Sequence, residues 1–204
     1  MQPTRERILT ATNELLRRHG YNGMSIKQIS AASAAPMGSL YHFFPDGKDA
    51  IVRESLESSG AVYLQLFEAI AAESPTVADA ITNFFDGAAT LLESSDFIEI
   101  CPIGSVAREI ASTNDPLRLA THRVFTTWTD AATAMFATSG LPDIDARQLA
   151  ATFVAILEGG FMLARAARNA TSLRDGGVVF RRIVEAMLAA APAPTPARHG
   201  RSAG

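Results

Sequence analysis

SIKQISAASAAPMGSLYHFFPDGK, running from Ser25 to Lys48, spells two short helices joined by a turn of small residues. Ser25 is a strong N-cap for a helix through about Ser33, with Ile26 and Ile29 on one face. A second short helix is expected from about Met37 to Phe43, ended by Pro45. With Leu40 taken as its inward direction and about 100° of rotation per residue, Phe43 and Phe44 fall within about 60° of it. Gly38 and His42 land opposite, Ser39 and Tyr41 on the flanks, and Met37 at the start. A helix with a greasy inner side and an outer side of Gly, Ser, Tyr and His suits insertion into a DNA groove, because glycine permits close approach and the others offer hydrogen bonds. Ser25 and Lys27, at the start of the preceding helix, are placed to meet phosphates where exposed amides already favour anions. Lys48 can do the same from the helix that follows Gly47. The plainer alternative is an ordinary helical corner in which Tyr41 and His42 only cover core.

Outward from this segment, apolar spacings of three and four recur, and no five-residue stretch alternates as a half-buried strand does. The expected fold class is all-α. A first helix runs from about Thr4 to His19, with Ile8, Ala11, Leu15 and Leu16 inward and Gly20 as its stop. Lys48 opens a fourth, with Ile51, Val52 and Leu56 buried. Further helices are expected near residues 60–73, 76–94, 103–113, 115–138, 145–169 and 175–190, with Thr76 and Asp145 as caps. The closing APAPTPARHGRSAG is too poor in large apolar groups to offset ordering, and residues 192–204 read as a disordered tail in which Arg198 and Arg201 are solvated.

Composition narrows the function classes. The 204 residues are 48% hydrophobic and 19% charged, enough for a substantial core, and no run of 18 or more uncharged apolar residues suggests a membrane span. Thr12, Asn13 and Glu14 interrupt the first apolar stretch before any cleavage pattern, so no signal peptide is expected and the address is cytoplasmic by default. The net charge of −3 is unevenly shared: up to Pro45 five basic residues face two acidic ones, so a phosphate-binding surface belongs at the amino end. Cys101 is the only cysteine, and neither it nor the four histidines has zinc-ligand spacing, so no metal and no cofactor is expected.

The order Gly38, Ser39, Leu40, Tyr41, Phe44, Lys48 after a capped helix and a small-residue turn resembles the TetR family of regulators, over roughly Thr4 to Ser58. Phe44-Pro45-Asp46-Gly47-Lys48 carries one residue more before the lysine than the commonest family spacing, which leaves the phosphate role of Lys48 open. That spacing, with Cys101-Pro102-Ile103-Gly104, is similar to the LmrA and YxaF branch. The resemblance implies a helix-turn-helix DNA-binding domain over residues 1–58 and a helical ligand-binding and dimerisation domain over 59–191. It implies a homodimer on palindromic operator DNA, released by a small apolar or aromatic inducer, and no catalytic residue.

The residues of the larger domain permit their own reading. Phe84, Phe85, Phe97, Cys101, Phe125, Trp128, Met135, Phe153, Phe161 and Met162 are dense enough to line an apolar pocket, although helical spacing alone also predicts plain core. His122, Arg123, Trp128 and Glu158 are the candidates for polar specificity, or else solvated residues. Cys101 beside Pro102 reads as a buried structural thiol, against a catalytic one for which no base is apparent. The last two helices form a hairpin with apolar stripes: Leu149, Phe153, Ile156, Gly160 and Ala164 on one, Val179, Ile183, Met187 and Ala190 on the other. Two such hairpins are expected to pair as a four-helix dimer interface, with the Gly159-Gly160 step marking close helix contact or a kink. Two readings stay open beside that of a ligand-responsive regulator: a small-molecule-binding helical protein with vestigial DNA binding, and an enzyme built around Cys101.

Overall fold

A computed structural model describes residues 2–191, and the expected disordered tail, 192–204, lies outside them. Among the described residues there are nine helices and no strand: α1 (Thr4–His19), α2 (Ile26–Ser33), α3 (Met37–Phe43), α4 (Lys48–Glu73), α5 (Val77–Ser94), α6 (Pro102–Ile110), α7 (Asp115–Thr138), α8 (Asp143–Ala167) and α9 (Thr171–Ala190). α1 stops at Gly20, whose φ of 68° lies in the left-handed region that a side chain disfavours. The cap at Ser25 is reciprocal: its Oγ accepts from the Gln28 N–H at 3.3 Å, and the Gln28 side-chain carbonyl accepts from the Ser25 N–H at 2.8 Å. Between α2 and α3, Ala34 takes φ 50°, and the Ser30 hydroxyl donates to the Ala35 carbonyl at 2.6 Å to hold the tight turn.

Ile8, Leu16, Ile29, Leu40 and Phe44 pack into a core that continues without a break through Ile51 and Leu56 of α4 into Val106, Leu117 and Val124 of α6 and α7. Leu15, expected inward, is only partly buried, and Thr12 takes the inner position, donating its hydroxyl to the Ile8 carbonyl at 2.7 Å. Phe43, also expected inward, is 38% exposed, because α3 ends there and the chain turns away before Phe44, which is buried. A second core joins α5, the latter half of α7, α8 and α9 around Phe153, whose ring lies 5.2 Å from Phe84, 5.6 Å from Phe85 and 5.8 Å from Phe180.

α4 corrects one expectation. The sequence suggested one helix opened by Lys48 and a separate helix near 60–73, but the helix is continuous for 26 residues, and the expected domain boundary after residue 58 falls inside it. Gly60 is not a breaker; it is where α7 crosses. A Cβ there would lie 2.6 Å from Val124 Cγ1, and the Trp128 indole N–H donates to the Gly60 carbonyl at 2.9 Å. Asp145 also proves to lie inside the first turn of α8, which begins after Pro142, whereas Thr76 caps α5 as expected.

The α8 stripe faces the other way from the one expected. Leu149, Phe153, Gly160 and Ala164 are buried within the monomer, and Gly160 admits Leu173 of α9, whose Cδ2 would lie 2.8 Å from a Cβ. Outside run Ile144, Ala151, Ala155 and Met162, while Val179 and Ile183 of α9 are exposed as anticipated. α8 is apolar on both sides, so periodicity alone does not tell inner from outer. By length and composition it is apolar enough to cross a membrane, yet its inner side packs against α7 and α9.

Gly60→Ala is expected to cost about 1–3 kcal/mol through overpacking against Val124. Urea denaturation of Gly60→Ala, Val124→Ala and the double variant tests this: part of the loss should return in the double variant.

Candidate functional site

The outward side of α3 is built by its inner anchor. Leu40 is fully buried, which turns Gly38, Tyr41 and His42 to solvent, with Tyr41 50% exposed and His42 stacked edge-on against Phe43 at 5.1 Å. Met37 and Ser39 are half-buried at the rim. Gly38 faces open space: a Cβ would meet no atom within 4 Å, and its φ is not positive. Nothing among the described residues therefore requires glycine at that position. Lys27 is exposed in the first turn of α2, whereas the Ser25 hydroxyl is turned to its own helix, donating to the Gln28 side-chain carbonyl at 2.8 Å. Ser25 thus serves the surface mainly by capping. Lys48 is drawn back as well: its ammonium donates to the Tyr21 carbonyl at 2.7 Å and lies 3.8 Å from the Tyr21 ring centre. Burial lowers its pKa from the ordinary lysine value, partly opposed by Asp49 and Glu109.

Behind this surface the end of α1 is clasped by α6 and the loop before it. The Glu109 carboxylate accepts from the backbone N–H groups of Tyr21 at 3.2 Å and Asn22 at 2.7 Å. Glu99 pairs with Arg17 at 3.0 Å and Arg18 at 3.2 Å, and the Ile100 N–H donates to the Arg17 carbonyl at 3.4 Å. Asp49 accepts from the Tyr21 hydroxyl at 2.6 Å and from the Asn114 amide at 2.7 Å. Sequence reasoning missed this junction entirely, because its partners lie 28 to 88 positions apart and no local pattern marks them.

A cavity of about 360 Å³ opens between α4, α5, α7 and α8. Of the residues expected to contact a ligand, Cys101, Trp128, Phe153, Glu158 and Phe161 line it. Phe125 instead faces a groove of about 470 Å³ on the far side of Cys101 and Glu158. Phe97 lies in the loop after α5 at φ 59° and packs on the second core. His122 and Arg123 are exposed on α7, Arg123 pairing with Glu57 at 3.0 Å. His122, Arg123 and Phe125 miss the cavity because they lie on other sides of α7, and Phe97 because its loop turns it onto the second core. Tyr63 and Phe67, four apart on α4, line it and were legible as a helical pair; Arg17 and Glu99 line it too, and were not. Cys101 is buried at the N-cap of α6, with the Gly104 N–H donating to its Sγ at 3.5 Å, and burial pushes its thiol pKa well above the usual range. A thiol so held is a poor nucleophile.

Comparison with known proteins now adds identity to geometry. Residues 8–55 match the family described as bacterial regulatory proteins, tetR family, and residues 77–177 match the LmrA/YxaF-like transcriptional regulator C-terminal domain. Over 170 residues the chain is 32% identical to the uncharacterized HTH-type transcriptional regulator YxaF of Bacillus subtilis, covering 83% of this chain and 89% of that one. It belongs to the TetR family of transcriptional regulators. The HTH-type transcriptional regulator LmrA of the same organism is 29% identical over 83% of this chain and 90% of its own. A TetR transcriptional regulator from Legionella pneumophila superposes with a TM-score of 0.80 at 24% identity, covering 90% of this chain and 98% of that one, and so shares the fold. This TetR-family protein is accordingly a DNA-binding regulator and not an enzyme.

One consequence of the junction is a titration. Burial and the Asp49 carboxylate push the Tyr21 phenol up to about 12. Its neutral form is favoured in the folded regulator, so the associated stability is present below the ordinary tyrosine pKa of about 10 and is lost as pH rises toward 12. Denaturation midpoints across that alkaline window should fall less steeply in Tyr21→Phe than in the unaltered chain.

Proposed function

We propose that this regulator is a homodimeric repressor, acting in the cytoplasm, that a small aromatic or otherwise apolar molecule releases from a palindromic operator. The observation that carries the DNA-reading surface is Gly38. A glycine inside a helix costs about 1 kcal/mol relative to alanine, and the fold has no use for it here. Its lack of a side chain makes sense if another molecule approaches the backbone closely, with Tyr41, His42, Ser39 and Met37 meeting base edges or phosphates around it. Lys27 and the first amides of α2 supply a phosphate contact on one flank. Lys48 does so on the other only by giving up its hold on Tyr21.

The outer stripe of α8, with Val179 and Ile183 of α9, supports pairing of two copies. Met162 and Leu163 are 52% and 58% exposed, a contiguous apolar surface that water disfavours and a second copy covers. Pairing sets two α3 helices at a fixed separation, commonly about 34–36 Å for successive major grooves. The cavity supports ligand control. Arg17 and Glu99 belong both to its wall and to the clasp on α1, so a ligand that binds better when that clasp is rearranged shifts the pair of α3 helices away from the operator spacing.

Selection of bound sequences from random DNA should recover a palindrome. On that DNA, Gly38→Ala is expected to raise the stability of the fold by about 0.5–1 kcal/mol while weakening binding, and Tyr41→Ala to weaken binding by about 1–3 kcal/mol. Unchanged affinity in both variants would favour a ligand-binding protein with vestigial DNA recognition. Sedimentation of Ile183→Glu should show a shift from dimer toward monomer.

A further inference from the structure

Glu158 stands in the wall shared by the cavity and the neighbouring groove, and an apolar ligand leaves it unexplained. Its Oε1 is buried with no hydrogen-bond partner among the described residues, although a buried carboxylate oxygen is costly to leave unmatched. Its Oε2 lies over Gly104 in the first turn of α6, where a Cβ would overlap it, so a small residue makes room for the carboxyl. The other acid of the wall, Glu99, is already paired with Arg17 and Arg18. Glu158 has the Cys101 thiol beside it and feels Arg108, which is exposed; both favour its charged form, but burial outweighs them and raises its pKa. The cavity that Glu158 lines is also walled by Tyr63, Phe67, Phe84, Trp128, Phe153 and Phe161.

A lone acid in an aromatic enclosure suits one ligand chemistry above others. Ring faces attract a cation through their quadrupole, and a desolvated carboxylate gains most from a partner of opposite charge. A neutral aromatic fills the same volume but leaves the acid unpaired or obliges it to take up a proton. An anionic aromatic meets repulsion from Glu158, and the cation of the wall, Arg17, is already paired with Glu99. We infer that the ligand of this cavity is an aromatic monocation, a protonated amine or quaternary nitrogen on a ring system, with its charge held against Glu158. This assignment rests on the cavity being the effector site proposed above.

The test uses two probes of nearly equal shape, N-methylacridinium and neutral acridine, added to the full-length protein at neutral pH. Trp128 is the only tryptophan and lines the cavity, so quenching of its fluorescence reads occupancy. The cation is expected to bind about tenfold or more tighter than acridine, a difference of about 1.4 kcal/mol. That preference should shrink to about twofold or less in Glu158→Gln, which keeps the shape and removes the charge. Gly104→Ala, which displaces the carboxyl without removing it, should lower cation affinity and spare acridine. Equal binding of the two probes, or a preference that survives Glu158→Gln, overturns the charge assignment and leaves the cavity reading standing. If neither probe quenches Trp128 in the unaltered chain, the assignment and the cavity reading fall together.

Discussion

Two carboxylates hold the regulator together as a working unit: Glu109 under the turn that follows α1, and Glu99 against the arginines that end it. Hydrogen bonds to charged groups contribute about 1.5–3 kcal/mol where sheltered and exposed ion pairs such as Arg18–Glu99 about 0–1 kcal/mol, and these attach the amino-terminal helices to α6 and the loop before it. The hydrophobic core beneath them runs through the same place, from Leu16 to Val106 and Ile110. The small domain consequently has no separate interior, and its α3 takes its orientation from the larger part of the chain. The proposed control of DNA binding from a cavity some helices away needs this sharing, since a flexibly tethered module would ignore whatever happened behind it.

The continuity of α4 makes the sharing mechanical. Its first half buries Ile51, Val52 and Leu56 with α1 and α3, and its second half gives Tyr63 and Phe67 to the cavity wall. Gly60, between the two, is where α7 comes closest and where Trp128 donates its indole hydrogen. A displacement of the Trp128 ring therefore presses on the middle of a helix whose amino end begins beside α3 and whose Lys48 grips Tyr21.

How far the sequence could be read follows from the range of the interactions involved. The helix-turn-helix was legible because its signals are local: Ser25 with Gln28, the small residues before Pro36, the buried Leu40 beside exposed Tyr41 and His42. The same rotation misplaced Phe43, since an ideal helix does not know where α3 ends. The split of α4 near residue 60 was misplaced because glycine in a helix is compatible with either a break or a close neighbour, and the neighbour of Gly60, Val124, is 64 residues away. α8 misled for a different reason: with apolar residues on both sides, its periodicity fixes that it is helical and not which side is inward. Five of the eight expected ligand contacts reach the cavity, while Phe97, His122 and Phe125 do not, because density of aromatic and polar groups along the chain does not encode direction. Glu99 and Glu109 gave no signal at all, as exposed acids on helices and loops are ordinary and only their distant partners make them matter.

α8 carries two interlocked sets of residues one step apart. Phe161 looks into the cavity and Met162 looks out; Glu158 belongs to one set and Ala155 to the other. If the outer side is the proposed seam and the cavity the proposed effector site, substitutions confined to the first set retune chemical taste in a descendant lineage without touching the seam, and drift in the seam insulates duplicated copies from one another while their tastes stay the same. A single helix of this kind lets paralogues diverge along two independent axes, and the step between neighbouring residues is what keeps those axes separate.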